Sequence, residues 1–170
     1  MTAESTIIAL GSNLGDQEKN LRIAAAQLQK ISTTRLIGSS IWLSSPEGFD
    51  EDVANFFNAV VSVSVEMQAG ELLARLKEIE HKLGRIFDPG CAYLSRTIDL
   101  DIIDFGQRVI ETKRLSIPHP RAAFRRFVLL PLQEVAPDYL FPGIEDSLEA
   151  LIDKAPKNLM RRLSPLTPLD

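Results

Sequence analysis

The stretch RTIDLDII at residues 96–103 carries more information about fold and chemistry than any other. Its alternation is strict: Ile98, Leu100 and Ile102 project to one side of an extended chain, Asp99 and Asp101 to the other. A period of two predicts a β-strand over residues 97–105. Upstream, the β-branched and apolar residues 5–10 predict a buried strand that ends at GSNLG, residues 11–15. Leu21, Ala24, Ala25, Leu28 and Ile31 then recur at helical spacing, with Asp16 placed to cap the helix start or complement its dipole. Ile37, Ile41 and Leu43 suggest a second strand, and Phe57, Ala59, Val61, Val63 and Val65 alternate in a third. Leu72, Leu73, Leu76, Ile79, Glu80 and Leu83 fit a second helix, which Gly84 stops. The order βαββαβ predicts a ferredoxin-like α+β core, an antiparallel sheet with both helices on one face. Pro118, Pro120, Pro131 and Pro137 punctuate the remainder, where short strands and short helices over 126–135 and 148–155 are expected. The tail SPLTPLD is expected not to pack, leaving the chain loose after about residue 158 of a single domain spanning 1–170.

Composition narrows the function classes. The 170 residues are 45% apolar and 25% charged, an ordinary globular balance. The net charge of −4 argues against a nucleic-acid-binding module. Apolar runs reach four residues, as at 7–10, far short of the roughly 20 that a spanning helix needs. Glu4 stands where a leader would be basic or apolar, and the single cysteine, Cys91, has no internal partner; both suggest the reducing cytoplasm. Charge is unevenly distributed. From Thr112 to Gln133 no acidic residue occurs, yet Lys113, Arg114, His119, Arg121, Arg125 and Arg126 do. Such a segment in an acidic protein suits a small polyanion, although a solvated basic face would read the same way.

The acidic pair has a definite chemical use. Residues two apart on a strand lie roughly 6.6 Å apart, so Asp99 and Asp101 can jointly hold one or two hard cations and leave coordination positions for phosphate oxygens. The plain alternative is a strand with a wet acidic face. GSNLG lacks both the lysine of a Walker A loop and the GxGxxG spacing, and reads as a strand-to-helix turn. His81 sits in a charged helical run and reads as solvated. His119, between two prolines in the basic segment, is a better phosphate or hydroxyl contact than a metal ligand. No HExxH, CxxC or GxSxG motif is present.

Taken together, the segments resemble the 6-hydroxymethyl-7,8-dihydropterin pyrophosphokinase family of folate biosynthesis. The matching pieces are GSNLGD at 11–16, SxPxG at 44–48, FFNAVV at 56–61, the ExxxGR element at 80–85, RTIDLDII at 96–103, RLSIPHPR at 114–121 and RRFVLLPLQEVAP at 125–137, in the family's order. The resemblance implies transfer of the β,γ-diphosphate of ATP to the pterin hydroxymethyl oxygen with release of AMP. It also implies two Mg²⁺ ions and a monomer with small-molecule substrates and no nucleic-acid or membrane partner. It assigns Asp99 and Asp101 as magnesium ligands, with Arg85 and Arg96 completing the catalytic set. It gives Phe56 and Phe127 the role of a pterin sandwich, with Asn58 on the pterin's amide edge and Ser44 and Gly48 in the pocket loop. Lys77, Glu80, Arg85, Arg96, Ile102, Arg114, Ser116, His119 and Arg125 take the ATP side.

The chain departs from the family between Arg85 and Arg96. The family typically carries further arginines and RWGPR there; this chain has IFDPGCAYLS, with Tyr93 as a substitute stacking group and Asp88 as an added negative charge. Glu47 also stands at a loop position that is often apolar. The altered loop motivates a second reading, a weak or inactive pterin- or nucleotide-binding relative. A ferredoxin-like RNA-binding module would need an RNP pattern, which is missing.

Overall fold

The computed structural model describes residues 2–48, 53–86 and 95–169. Strand β1 (Glu4–Ser12) leads to helix α1 (Gln17–Ile31), whose N-terminus is capped by Asp16 accepting from the Lys19 amide at 3.1 Å. The expected second strand is split at Ser39 into β2 (Ile37–Gly38) and β3 (Ser40–Ser44). Strand β4 (Phe56–Val65) and helix α2 (Ala69–Lys82) follow, and Gly84 takes the left-handed backbone (φ +82°) that ends this helix with little strain for a residue lacking Cβ. Strand β5 (Asp99–Phe105) completes the βαββαβ order. The main sheet runs β5-β1-β4-β3-β8, with β1 antiparallel to both β4 and β5.

Each face of this sheet has its own core. Ile8, Leu10, Val61, Val63, Leu100 and Ile102 pack with Leu21, Leu28, Leu72 and Leu76 of α1 and α2. Ile7, Val60 and Ile103 face the other way, onto Val128, Leu129 and Leu132 of α3 (Arg126–Val135) and Leu148 and Leu151 of α4 (Leu148–Lys154). Pairing of β1 with β5 skips Ile103, which makes a bulge. The extra residue shifts the phase, so Ile103 and the buried Asp104 both turn to the α3 side, and Asp104 accepts from the Tyr139 hydroxyl at 3.0 Å. Phe105 returns to the α1–α2 side. Strands β6 (Ile110–Glu111) and β7 (Ser116–Ile117) form a separate hairpin, which leads through a cis Ile117–Pro118 bond into His119.

The C-terminal expectation is corrected. Residues Met160–Pro165 form strand β8 along β3, Leu166 is 5% exposed within the α1–α2 core, and Arg22 donates to the Thr167 carbonyl at 3.1 Å. The open edge of β3 recruits a polar strand that shows little apolar alternation of its own.

Candidate active site

Small residues open the site. On β1, Ala9 and Gly11 face the same way as Asp101 and Asp99, their register partners on β5. Gly11 also pairs with Asn58 on β4. With so little side chain on the middle strand, a cleft remains on the α3 side of the sheet, floored by Ala9 and Gly11 and walled by β4, β5, α3 and the loop after β3.

Neutral groups shape one end. Asn58 is 4% exposed, and its Nδ2 donates to Ser44 Oγ at 2.8 Å and to the Trp42 carbonyl at 3.4 Å. Its Oδ1 lies over Gly11, 3.6 Å from where a Cβ would stand. The flipped amide would set oxygen against the Trp42 carbonyl, so this network fixes the orientation. Asn58 therefore offers a ligand an acceptor, its two donors being engaged within the sheet. Phe56 and Phe127 line the same cleft, and each carries a guanidinium over its ring: Arg96 at 5.8 Å and Arg125 at 5.4 Å from the centroids.

Charge dominates the other end. Asp99 accepts from Arg85 at 2.5 Å and from Arg96 at 2.8 Å. Arg85 also reaches Glu80 at 2.6 Å, and Glu80 accepts from Lys77 at 3.0 Å and from the Leu100 amide at 2.7 Å. Burial raises the Glu80 carboxyl, while Lys77, Arg85 and the Leu100 amide pull it back. Burial opposes the charged form of Arg85, but Asp99 and Glu80 outweigh it and hold the guanidinium protonated. Asp101 opens to the cleft with 38% of its side chain exposed. Protein closes around its remaining sides; that desolvation and the nearby Asp99 raise its carboxyl. His119 Nε2 lies 3.9 Å from Asp101, and its Nδ1 accepts from the Arg121 amide at 3.2 Å, which places the proton of the neutral ring on Nε2. Burial lowers the pKa of His119, and Arg125 and Arg121 add to this against the attraction of Asp101. The backbone of His119 is tied to β5 by its amide donating to the Ile103 carbonyl at 3.0 Å.

The GSNLG turn positions this end. Asn13 Oδ1 accepts from the Arg96 amide at 2.8 Å, and the Asn13 amide donates to the Arg96 carbonyl at 3.1 Å. That two-way tie presents Arg96 to Asp99. Arg96 Nε is buried and has no hydrogen-bond partner among the described residues.

The structure thus brings Ser44, Phe56, Asn58, Lys77, Arg85, Arg96, Asp99, Asp101, His119, Arg125 and Phe127 to one cleft. Glu80 lies beneath, acting through Lys77 and Arg85. Ile102 is not brought there: its side chain is 3% exposed in the α1–α2 core, on the opposite face from the two aspartates. Arg114 is exposed and Ser116 donates to Glu111 at 2.6 Å on the β6–β7 hairpin, outside the cleft lining. Gly48 is exposed beside undescribed residues, and the altered loop at 87–94, with Tyr93 and Asp88, lies outside the described residues. Arg121 and Glu47 line the cleft without having been assigned a ligand role from the sequence. The signal for Arg121 was its place in PHPR.

An α+β domain thus frames one cleft that joins aromatic and amide groups to paired carboxylates and guanidinium groups. The model of the 7,8-dihydro-6-hydroxymethylpterin-pyrophosphokinase family matches residues 7–137, and the chain belongs to that family. The 2-amino-4-hydroxy-6-hydroxymethyldihydropteridine pyrophosphokinase of Bacillus subtilis is 44% identical over 129 residues, covering 75% of this chain and 75% of its own. The protein of the same name from Haemophilus influenzae is 35% identical over 159 residues, covering 93% of this chain and 97% of its own. A Plasmodium falciparum HPPK-DHPS crystal structure with pteroate superposes with a TM-score of 0.70 at 15% identity, over 89% of this chain. At that identity the likeness shows the fold alone, and this chain spans only 42% of that longer one.

Proposed function

We infer that this chain transfers the β,γ-diphosphate of ATP to the hydroxymethyl oxygen of 6-hydroxymethyl-7,8-dihydropterin, releasing AMP, a step of folate biosynthesis. Family membership supports the reaction. The observation that carries this reading is one cleft lined by Asp99, Asp101 and four arginines, Arg85, Arg96, Arg121 and Arg125, together with Phe56, Asn58 and Phe127. In this reading Phe56 and Phe127 hold the pterin between them, each stack contributing about 0.5–1.5 kcal/mol beyond area burial. Asn58 Oδ1 accepts from an N–H of its amide edge.

Arg85, Arg96, Arg125 and Lys77 bind the phosphate chain, and His119 donates from Nε2. Charge gathers on phosphate oxygens as the bond to the β-phosphorus changes hands, so preorganised cations are the groups that lower the barrier. At an effective dielectric near 20, a cation about 4 Å from a phosphate charge is worth roughly 4 kcal/mol before desolvation. For Arg114 and Ser116 to touch the nucleotide, it must extend past His119 along the hairpin.

The donor set fits magnesium. Asp99 and Asp101 offer hard oxygens on one strand face, and Asp101 lies where a second carboxylate and burial disfavour its charge unless a cation answers it. Among the described residues no group of three or more His, Cys, Asp or Glu could hold a metal, so substrate phosphates and water would supply the remaining coordination. Two bound Mg²⁺ ions would screen the triphosphate and polarise the phosphorus under attack. We also propose a cytoplasmic monomer, from the lone cysteine and the family; no helix among the described residues is long and apolar enough to cross a membrane.

The test is AMP formation from ATP, Mg²⁺ and 6-hydroxymethyl-7,8-dihydropterin, with a pterin-free control. Pterin-dependent AMP is the expected result. Binding of both ligands by folded protein without AMP would instead favour the binding-only relative suggested by the altered 86–95 sequence.

A further inference from the structure

Three successive residues of the C-terminal chain hold the loop that follows β3. Met160 pairs with Ser44, the Leu159 carbonyl accepts from the Ser45 amide at 3.3 Å, and Asn158 Nδ2 donates to Glu47 Oε1 at 3.1 Å. Ser44, Ser45 and Glu47 all line the cleft, and Ser44 is the residue on which the Asn58 amide is fixed. The first two ties run through backbone, which leaves Asn158 as the side chain that reaches the loop. Its partner is the carboxylate at a position often apolar in the family. Glu47 also acts electrostatically on Arg125, whose guanidinium lies over Phe127, so its orientation bears on the opposite aromatic wall as well. Residues 158–160 lie outside the segment that the family model matches, 7–137.

We propose that Asn158 is a positioning residue for the pterin pocket, acting through Glu47 to set the conformation of the turn at 44–47. The proposal rests on the reading of this end of the cleft as the pterin site. The contact is a charge-assisted hydrogen bond, so its loss should be measurable in affinity. The hydrogen bond itself supports the loop beside Asn58, whereas the charge of Glu47 also reaches Arg125.

Dissociation constants for the pterin and for Mg²⁺-ATP, with melting temperature, decide it for the wild type, Asn158→Ala, Glu47→Ala, Glu47→Gln and the double alanine variant. Asn158→Ala should weaken pterin binding roughly five- to tenfold with ATP affinity and melting temperature unchanged, and Glu47→Ala should weaken pterin binding at least as much while also shifting ATP affinity through the charge lost beside Arg125. The double variant should bind no worse than the weaker single one, because both remove the same contact. Glu47→Gln should retain most of the affinity, since its carbonyl still accepts from Asn158. Unchanged pterin affinity in Asn158→Ala, equal losses for both ligands in that variant, or additive pterin losses in the double variant would overturn the proposal while the function stands. A wild-type protein that binds ATP but no pterin would overturn the functional reading and this inference with it.

Discussion

Asn58 is held by neutral hydrogen bonds that the sheet supplies, whereas Asp99 is held by two guanidinium groups that depend on it in return. Strand register sets the first arrangement: β3 and β4 pair through Trp42 and Asn58, so the acceptor over Gly11 is in place before any ligand arrives. The charged end is satisfied internally, with Arg85 shared between Asp99 and Glu80. A polyanion and its cations entering there must compete with those ion pairs. The Asn58 end is thus preorganised, and we propose that the charged end exchanges partners when the phosphates bind. Neutral-end substitutions should therefore change affinity for one ligand, and charged-end substitutions should change turnover.

Asp101→Ala gives the largest expected effect. Asp101 has no ion pair as short as those of Asp99, its neighbour His119 being 3.9 Å away, so removing it disturbs the internal network least. Turnover, read as AMP release, should nevertheless fall about 10³-fold, with the melting temperature preserved. Chelation of Mg²⁺ should abolish AMP release in the wild type, and adding the metal back should restore it. An active Asp101→Ala variant would remove the distinction between the two ends.

Phe127→Ala ranks second. Losing one wall of the sandwich should weaken pterin binding by about 10- to 100-fold while ATP binding changes little. Arg125 lies over this ring at 5.4 Å, so a small loss on the ATP side is compatible with the comparison. Equal losses for both ligands would show that the two ends are not separable.

Periodicity made the main frame legible. Leu100 and Ile102 face α1 and α2, and Asp99 and Asp101 face the cleft, as alternation in RTIDLDII requires. The Ile103 bulge was not legible, because DLDIIDF reads as continuous strand and only pairing with β1 reveals the extra residue. Nor was β8: MRRLSP has little apolar alternation, and its pairing comes from the unfilled edge of β3, a tertiary cause. At the site, Ser44, Phe56, Asn58, Asp99, Asp101 and Phe127, on strands or at α3, line one cleft, as do Lys77, Arg85, Arg96, His119 and Arg125 from helices and loops. Ile102 does not, because neighbours in a strand point to opposite faces, and the position beside Asp101 necessarily turns into the core. Glu47 stood out in the sequence only as a departure; its cleft position depends on a contact 111 residues away.

Arg121 marks the weakly held limit of the charged end. Unlike Arg85 and Arg96, it is exposed at the cleft wall, and no ion pair holds it among the described residues. Its charge should attract the triphosphate without being locked into the reacting geometry. Arg121→Ala should therefore raise the KM for ATP about threefold at low ionic strength and leave kcat nearly unchanged. Salt should shrink that difference, since the Debye length falls from about 10 Å at 0.1 M to about 3 Å at 1 M. The same titration on Arg96→Ala should leave a large defect at high salt, because Arg96 contacts Asp99 directly at 2.8 Å. A salt-resistant loss in Arg121→Ala would place that residue with the locked cations, and the phosphate end would extend further along the PHPR turn than its ion pairs indicate.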